Sequence, residues 1–147
     1  MALETADRLD IQDLLSRYCI AMDTDDRRTF RELMAPDGEW IALTAQFRTE
    51  EEYAGYIASP HEPLVGRHMV SSVLIDDDPA APGTASVRAD VVWLRPGDDS
   101  AASGEIAFIG GYRCVVHKVE GEWRFKRFEM RKQDVIYMSP FFRSMLG

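Results

Sequence analysis

The stretch DRLDIQDLLSRYCIAMDTDDRRTFRELMAPDGEW, residues 7–40, carries the strongest structural pattern in this chain of 147 residues. Its first apolar residues recur three or four positions apart, and they are Ile11, Leu14, Leu15, Tyr18 and Met22. This spacing places them on one face of a helix. Polar residues at 24–26 break the pattern and can cap a second helix. The apolar residues of that second helix are Phe30, Leu33 and Met34. The run Ala-Pro-Asp-Gly at 35–38 is expected to stop it, and a short strand is expected at 39–43.

Downstream of this stretch the sequence predicts a third helix and then a block of strands. Thr49 and Glu52 have the spacing of a capping box, so a helix is expected to begin there and to end before Pro60. Strands are expected at 64–75, 85–94, 106–119 and 123–130. The turns between them are expected at 76–79 with 82–83, at 96–99 and at 120–121. Helices in one part of the chain and strands in the other predict an α+β fold in a single domain, residues 1–147, with the helices packed on one face of a curved sheet.

Two irregularities are expected in the last strands. The glycine pair at 110–111 predicts a bulge or a bend. In the closing strand the alternation changes face after Phe125, so that Phe128 would point away from the apolar side. A one-residue bulge at 126–127 would return both aromatic residues to a single face.

The composition is that of a folded, acidic protein. The chain is 46% hydrophobic and 29% charged, with a net charge of −8. This charge argues against binding to nucleic acids and to anionic membrane surfaces. The charge is uneven, with −8 over residues 1–62, −4 over 63–111 and +4 over 112–147. We expect a homodimer or homotrimer in which the sheet contributes more to the contact than the acidic helices.

Cysteine content and hydropathy both predict a cytoplasmic protein. Cys19 and Cys114 are too few for a disulfide framework, and they are typical of buried thiols in a reducing compartment. The first ten residues contain acidic side chains and no apolar run, so no signal peptide is expected. No stretch approaches the roughly 18 apolar residues of a membrane span.

The familiar cofactor motifs are absent from the sequence. It contains no glycine-rich dinucleotide fingerprint, no phosphate-binding loop and no nucleophile elbow. His61, His68 and His117 lack the spacing of a metal site. We therefore predict no cofactor and no metal, which leaves acid–base chemistry by side chains or simple ligand binding.

Tyr18, Asp23 and His68 are the candidate catalytic residues. An imidazole is a natural general base near neutral pH, and a carboxylate on its other nitrogen fixes the tautomer and stabilises the imidazolium. A nearby phenol can donate to a leaving hydroxyl or to a developing enolate. Each residue also has a structural interpretation: Tyr18 as core, Asp23 as a helix cap, and His68 as a hydrogen-bonded residue on a strand face shared with Leu74.

Three segments together resemble the SnoaL-like branch of the NTF2-like superfamily. They are residues 7–40, the stretch GRHMVSSVLID at 66–76, and GGYRCVVHKVEGEWRFKRFEMR at 110–131. The first is similar to the family's helical opening, the second to its R-H-x-x-S/T-N strand, and the third to its closing hairpin. The resemblance implies a cone-shaped fold, in which a strongly curved, mixed or antiparallel sheet wraps around three helices and encloses one apolar pocket.

The same resemblance implies roles for individual residues. Asp23 and His68 match the Asp–His dyad of cofactor-independent lyases such as scytalone dehydratase and hexachlorocyclohexane dehydrochlorinase, and Tyr18 matches a tyrosine that some dehydratases use. Asp90 matches a further carboxylate of the bile-acid dehydratases. It would lie nearly opposite His68 if residues 77–81 form the turn, although a surface charge is an equal alternative. His117 is a weak candidate for a second pocket histidine.

These implications combine into one functional hypothesis with two rivals. We expect a lyase or isomerase acting on a small hydrophobic cyclic, polyketide-like or steroid-like substrate. The residues expected to bind it, besides Asp90, are Trp40, Tyr53, Phe108, Tyr112 and Met130. Residues 139–142 are expected to form either a lid or an oligomer contact. The rivals are a non-catalytic binding or assembly module and the β subunit of a ring-hydroxylating dioxygenase.

Overall fold

Helix α1 forms where the apolar stripe predicts it, and its buried face packs against the sheet. The computed structural model describes residues 2–63, 65–97 and 100–147. The helices are α1 (Thr5–Asp23), α2 (Arg27–Leu33), α3 (Glu50–Ala58) and α4 (Pro140–Met145), with a 3-10 turn at Lys132–Asp134. The strands are β1 (Met34–Ile41), β2 (Gln46–Phe47), β3 (Arg67–Asp77), β4 (Thr84–Gly97), β5 (Ser100–Val119), β6 (Glu122–Glu129) and β7 (Tyr137–Met138).

The strands form one mixed sheet in the order β2-β1-β6-β5-β4-β3, with β7 added beside β5. Strand β1 runs parallel to β6, and the other neighbours are antiparallel. The predicted α+β class, with a large curved sheet against helices, is therefore confirmed. Two parts of the predictions lie outside the described residues. They are Leu64, the expected first residue of the strand at 64–75, and Asp98-Asp99 in the turn expected at 96–99.

Helix α2 ends at Leu33, just before the expected stop, but residues 35–38 belong to β1 and do not form a turn. They form an irregular stretch of the parallel ladder, opposite the single residue Lys126 of β6. A Cβ at Gly38 would lie 2.6 Å from the carbonyl oxygen of Phe125, so only glycine lets the two strands approach this closely. Pairing with a distant strand thus overrides the local turn signal of Pro-Asp-Gly.

The bulge expected in the closing strand is confirmed. Val115 pairs with Arg127 and Val116 pairs with Phe125, which leaves Lys126 as the extra residue. Phe125 and Phe128 consequently share the buried face and are 1% and 0% exposed.

The irregularity expected at 110–111 is not a bulge, since both glycines continue the register between β4 and β5. The register shifts instead at Ala107. A Cβ at Gly110 would lie 2.5 Å from the ring of Phe108, so this glycine makes room for that ring.

Strand β3 also changes face, at Ser72, where φ is +53° and the register with β4 shifts. As a result Leu74 is exposed and Ile75 is buried, so the expectation that Leu74 shares a face with His68 is wrong. None of the helices in the described ranges is long and apolar enough to cross a membrane.

Cys19 and Cys114 are both buried and free. Burial and the nearby Asp23 carboxylate raise the pKa of Cys19 to about 12, and burial also raises the pKa of Cys114.

Because the thiolate is the reactive form, we expect both thiols to react with iodoacetamide at pH 8 at least about 100-fold more slowly than free cysteine. Mass spectrometry with and without urea tests this, and rapid labelling of folded protein would contradict it.

Candidate active site

One cavity of about 260 Å³ lies between the carboxyl end of α1, the concave face of the sheet and α4. Seven aromatic side chains line it, and these are Tyr18, Trp40, Phe47, Tyr56, Trp93, Tyr112 and Phe142. His68, the second residue of β3, also lines it. The polar groups therefore face a largely apolar space, which is the usual construction of a small-molecule site.

His68, at this wall, lies in direct contact with Asp23. Oδ1 of Asp23 is 2.6 Å from Nδ1 of His68, and the same carboxylate accepts the backbone N–H of His68 at 3.0 and 3.1 Å. These bonds stabilise a carboxylate that would otherwise be poorly placed at the negative end of α1. The Asp23 side chain is 9% exposed and that of His68 is 22% exposed.

The contact decides which nitrogen of His68 can act as a base. A carboxylate only accepts, so Nδ1 carries the proton and Nε2 is left with a free lone pair. The imidazole also stacks on Trp93, with ring centroids 5.6 Å apart and planes 9° apart. Two partners therefore fix the orientation of the ring.

Tyr18 presents its hydroxyl group at the same wall. Its oxygen accepts a hydrogen bond from Nε1 of Trp40 at 3.0 Å, so the phenol proton remains available to a ligand. Burial raises the pKa of Tyr18 well above its usual value, which keeps the phenol protonated near neutral pH. The ring stacks on Phe128 at 4.1 Å.

The predicted cavity wall is brought together only in part. Trp40, Tyr112 and Met130 line the cavity. Tyr53 lies behind the wall, where its hydroxyl donates to the carbonyl of Gly38 at 2.9 Å. Phe108 also lies behind the wall, stacked on Phe142 with ring centroids 4.7 Å apart.

Asp90 does not face the cavity, because the turn between β3 and β4 is two residues longer than expected and β3 also carries one extra residue at 72–73. The two strands pair up to Asp77 and Ala85, so His68 lies opposite Trp93 rather than Asp90. The difference is an odd number of residues, which places Asp90 on the exposed face of the sheet, beside Arg88 and Arg113. Asp90 is therefore a surface charge, the second of the two expectations for this residue. His117 is likewise away from the cavity, on β5 opposite Thr84.

Sequence reasoning missed a second histidine at this site. His61 and Asp25 both line the cavity, and Nε2 of His61 is 2.8 Å from Oδ1 of Asp25. The two residues are 36 positions apart and His61 lies in a loop, so periodicity carries no signal for their contact. The position of Asp25, two residues after Asp23, was the only hint available.

The carboxyl-terminal segment covers part of the cavity. The side chain of Ser139 caps α4 by accepting the N–H of Phe142 at 3.1 Å, and Phe142 and Met145 line the wall. This position supports the lid interpretation of residues 139–142. In the described ranges no group of three or more His, Cys, Asp or Glu residues is placed to hold a metal ion.

Comparison with known proteins establishes the family. A model of the SnoaL-like domain matches residues 3–129, and the chain therefore belongs to the SnoaL-like family. No protein of curated function matched. A protein of unknown function from Mycobacterium tuberculosis is 25% identical over 86% of this chain and 71% of that chain, with a TM-score of 0.72.

Two further solved structures show the same fold. An NTF2-like protein with a cystatin-like fold from Novosphingobium aromaticivorans is 22% identical over 97% of this chain and 90% of that chain, with a TM-score of 0.73. Hexachlorocyclohexane dehydrochlorinase LinA-type3 from Novosphingobium barchaimii is 18% identical over 92% of this chain and 90% of that chain, with a TM-score of 0.70. At these identities the similarity is one of fold alone.

Proposed function

We propose that the chain is a cofactor-independent lyase or isomerase that acts on a small hydrophobic cyclic substrate. The observation that supports this most strongly is the 2.6 Å contact between Nδ1 of His68 and Asp23 at the wall of an aromatic cavity. A histidine held in this way can act as a general base, and general-base catalysis contributes about 10²–10⁴-fold to a rate. The dehydrochlorinase with the same fold is consistent with this class of reaction.

The proposed reaction begins with proton abstraction next to an activating group such as a carbonyl. Nε2 of His68 takes the proton, and the electron pair of the broken C–H bond moves into the enolate. Asp23 stabilises the imidazolium that forms. The Tyr18 hydroxyl donates a hydrogen bond to the enolate oxygen or a proton to a departing hydroxyl. Loss of the leaving group gives a dehydrated or dehydrohalogenated product, and return of the proton to another carbon gives an isomer.

The cavity volume favours small substrates. An engineered cavity of about 150 Å³ accommodates benzene. A cavity of about 260 Å³ therefore suits a compound of one or two rings. Among the substrates considered from the sequence, small cyclic and polyketide-like compounds fit this volume better than four-ring steroids.

A panel of one- and two-ring ketones, with hydroxyl or halogen at the β carbon, tests the proposal. The protein is incubated with each compound in D₂O, and NMR follows loss of the α-proton signal and appearance of the elimination product. We expect exchange or elimination with at least one compound. A non-catalytic binding module would bind such compounds and leave both signals unchanged.

Tyr18→Phe removes the phenol hydroxyl group and keeps the aromatic ring that packs in the core. We expect the rate of elimination to fall about 10–100-fold, because the variant loses the donor to the developing charge. The free energy of unfolding should also fall, by about 1–3 kcal/mol, since Nε1 of Trp40 loses its buried acceptor. Tyr137→Phe is the matched control, because Tyr137 is exposed. An unchanged rate in Tyr18→Phe would remove Tyr18 from the mechanism.

A further inference from the structure

A second carboxylate–imidazole pair lines the cavity and has no part in the mechanism above. Nε2 of His61 lies 2.8 Å from Oδ1 of Asp25, and both residues contribute to the wall. Their side chains are 33% and 32% exposed, so the pair is accessible from solvent and from the cavity. Neither residue touches the Asp23–His68 dyad through a hydrogen bond among the described residues.

The turn after α1 fixes the Asp25 carboxylate. The φ angle of Asp25 is +55°, in the left-handed region, which aspartate and asparagine tolerate better than most other residues. Its backbone N–H donates to the carbonyl of Met22, and Nε of Arg27 donates to its Oδ1 at 3.3 Å. Left-handed residues that are not glycine cluster at functional sites, where the surrounding structure holds them in place.

The same arginine positions the histidine. Arg27 is only 8% exposed and donates to the carbonyl of Tyr56 and to the carbonyl and hydroxyl oxygens of Ser59. Nδ1 of His61 lies 3.3 Å from the Ser59 carbonyl. The loop that carries His61 is thereby tied to α2, next to the imidazole.

One oxygen of Asp25 is left for a ligand. Burial alone would raise the pKa of Asp25, but hydrogen bonds from His61 and Arg27 outweigh it and lower the pKa, so the group is a carboxylate near neutral pH. Both of those bonds go to Oδ1. In the described part of the chain Oδ2 has no protein hydrogen-bond partner, and it can accept a further donor.

We propose that Asp25 and His61 form a second polar subsite, in which Oδ2 of Asp25 accepts a hydrogen bond from a hydroxyl group of the ligand. The ligand is then a neutral one- or two-ring compound with a hydroxyl remote from the carbon that His68 deprotonates. A carboxylate in that position would be repelled by Asp25. The inference rests on the proposed function only in taking this cavity as the substrate site.

Binding of three probes with the same two-ring frame tests the subsite. The probes are 2-naphthol, 2,7-dihydroxynaphthalene and 7-hydroxy-2-naphthoate, and isothermal titration calorimetry gives their Kd values. We expect the native protein to bind the diol about tenfold more tightly than 2-naphthol, since a hydrogen bond to a charged acceptor is gained. The naphthoate should bind more weakly than the diol.

Variants assign the preference to Asp25. Asp25→Asn keeps a residue that tolerates the left-handed backbone and should reduce the preference for the diol to about twofold or less. His61→Gln, in an exposed loop, should reduce it as well, because it removes a group that positions Asp25. Asp26→Asn is the matched control, since asparagine also caps α2, and it should keep the native preference.

Several outcomes would overturn the subsite. They are failure of both naphthols to bind, equal binding of the two, tighter binding of the naphthoate than of the diol, and a native preference in Asp25→Asn. His68→Gln should retain the preference, because His68 is not part of the subsite. Loss of the preference in that variant would contradict the assignment, whereas absence of turnover in the native protein would count against the proposed function and leave the binding result intact.

Discussion

Asp23→Asn is expected to reduce the rate of proton abstraction by about 10²–10⁴-fold, the range that general acid–base catalysis contributes. Asp23 accepts both the Nδ1–H and the backbone N–H of His68. Oδ1 accepts from both groups and Oδ2 also accepts the backbone N–H, so an asparagine would place its NH₂ donor against one of these two donors. His68 would then shift its ring or its tautomer, and Nε2 would no longer be a correctly placed base.

Asp13→Asn is the matched control for this variant. Asp13 lies on the exposed face of the same helix, α1, and carries the same charge. Deuterium exchange into the substrate, followed by NMR at saturating concentration, gives the rate for both variants. A rate in Asp23→Asn within about threefold of the Asp13→Asn rate would contradict the role of Asp23 as the orienting group, because loss of that role is expected to cost at least about 100-fold.

Phe128→Ala is expected to lower the free energy of unfolding by about 3–5 kcal/mol, as for other large-to-small substitutions in cores. Phe128 is 0% exposed and packs between Tyr18 and Tyr112, with ring centroids 4.1 and 4.6 Å away. Both tyrosines line the cavity. We therefore expect the variant to lose activity as well, because the wall that holds the Tyr18 hydroxyl loses its support.

Urea unfolding followed by tryptophan fluorescence measures this effect, with Phe141→Ala as the control. Phe141 lies on α4, is partly exposed and carries the Arg95 guanidinium on its face. Phe141→Ala should lower the free energy of unfolding by less than about 2 kcal/mol, because removing a partly exposed ring loses less buried apolar surface than removing a core ring. A loss below about 1 kcal/mol in Phe128→Ala would contradict its place at the centre of the core.

The sequence predicts the elements whose pattern is local. The stripe from Ile11 to Met22 gives α1, and Thr49 gives the start of α3. The bulge at Lys126 is also predictable, because two buried aromatic residues of opposite parity require one extra residue between them.

Features that depend on long-range pairing are not predictable in this way. The Pro-Asp-Gly run in β1 has the local pattern of a turn, and only its pairing with β6 makes it a strand. Asp90 faces outward because β3 carries one extra residue at 72–73, which changes the face that its partners on β4 share with His68. The contact between His61 and Asp25 joins a loop to a helix end, and hydrophobic periodicity in the sequence gives no signal for such a contact.

The dyad is an intermediate case. The geometry brings Asp23 and His68 together, as the family resemblance implies, and it leaves Tyr53, Phe108 and Asp90 away from the cavity wall. The contact between Asp23 and His68 is implied by the family resemblance alone, because the two residues are 45 positions apart and no local pattern connects them. Wall residues depend on which face of a bulged strand is buried, and the bulges were predicted only in part.

The most direct test of the central claim is deuterium incorporation at the α-carbon of a ketone from the panel, catalysed by native protein and by His68→Gln. His117→Gln carries the same change away from the cavity and controls for it. The proposed mechanism predicts exchange by native protein and by His117→Gln, and a reduction of at least about 100-fold in His68→Gln with an unchanged circular dichroism spectrum. Exchange at the native rate in His68→Gln would contradict it.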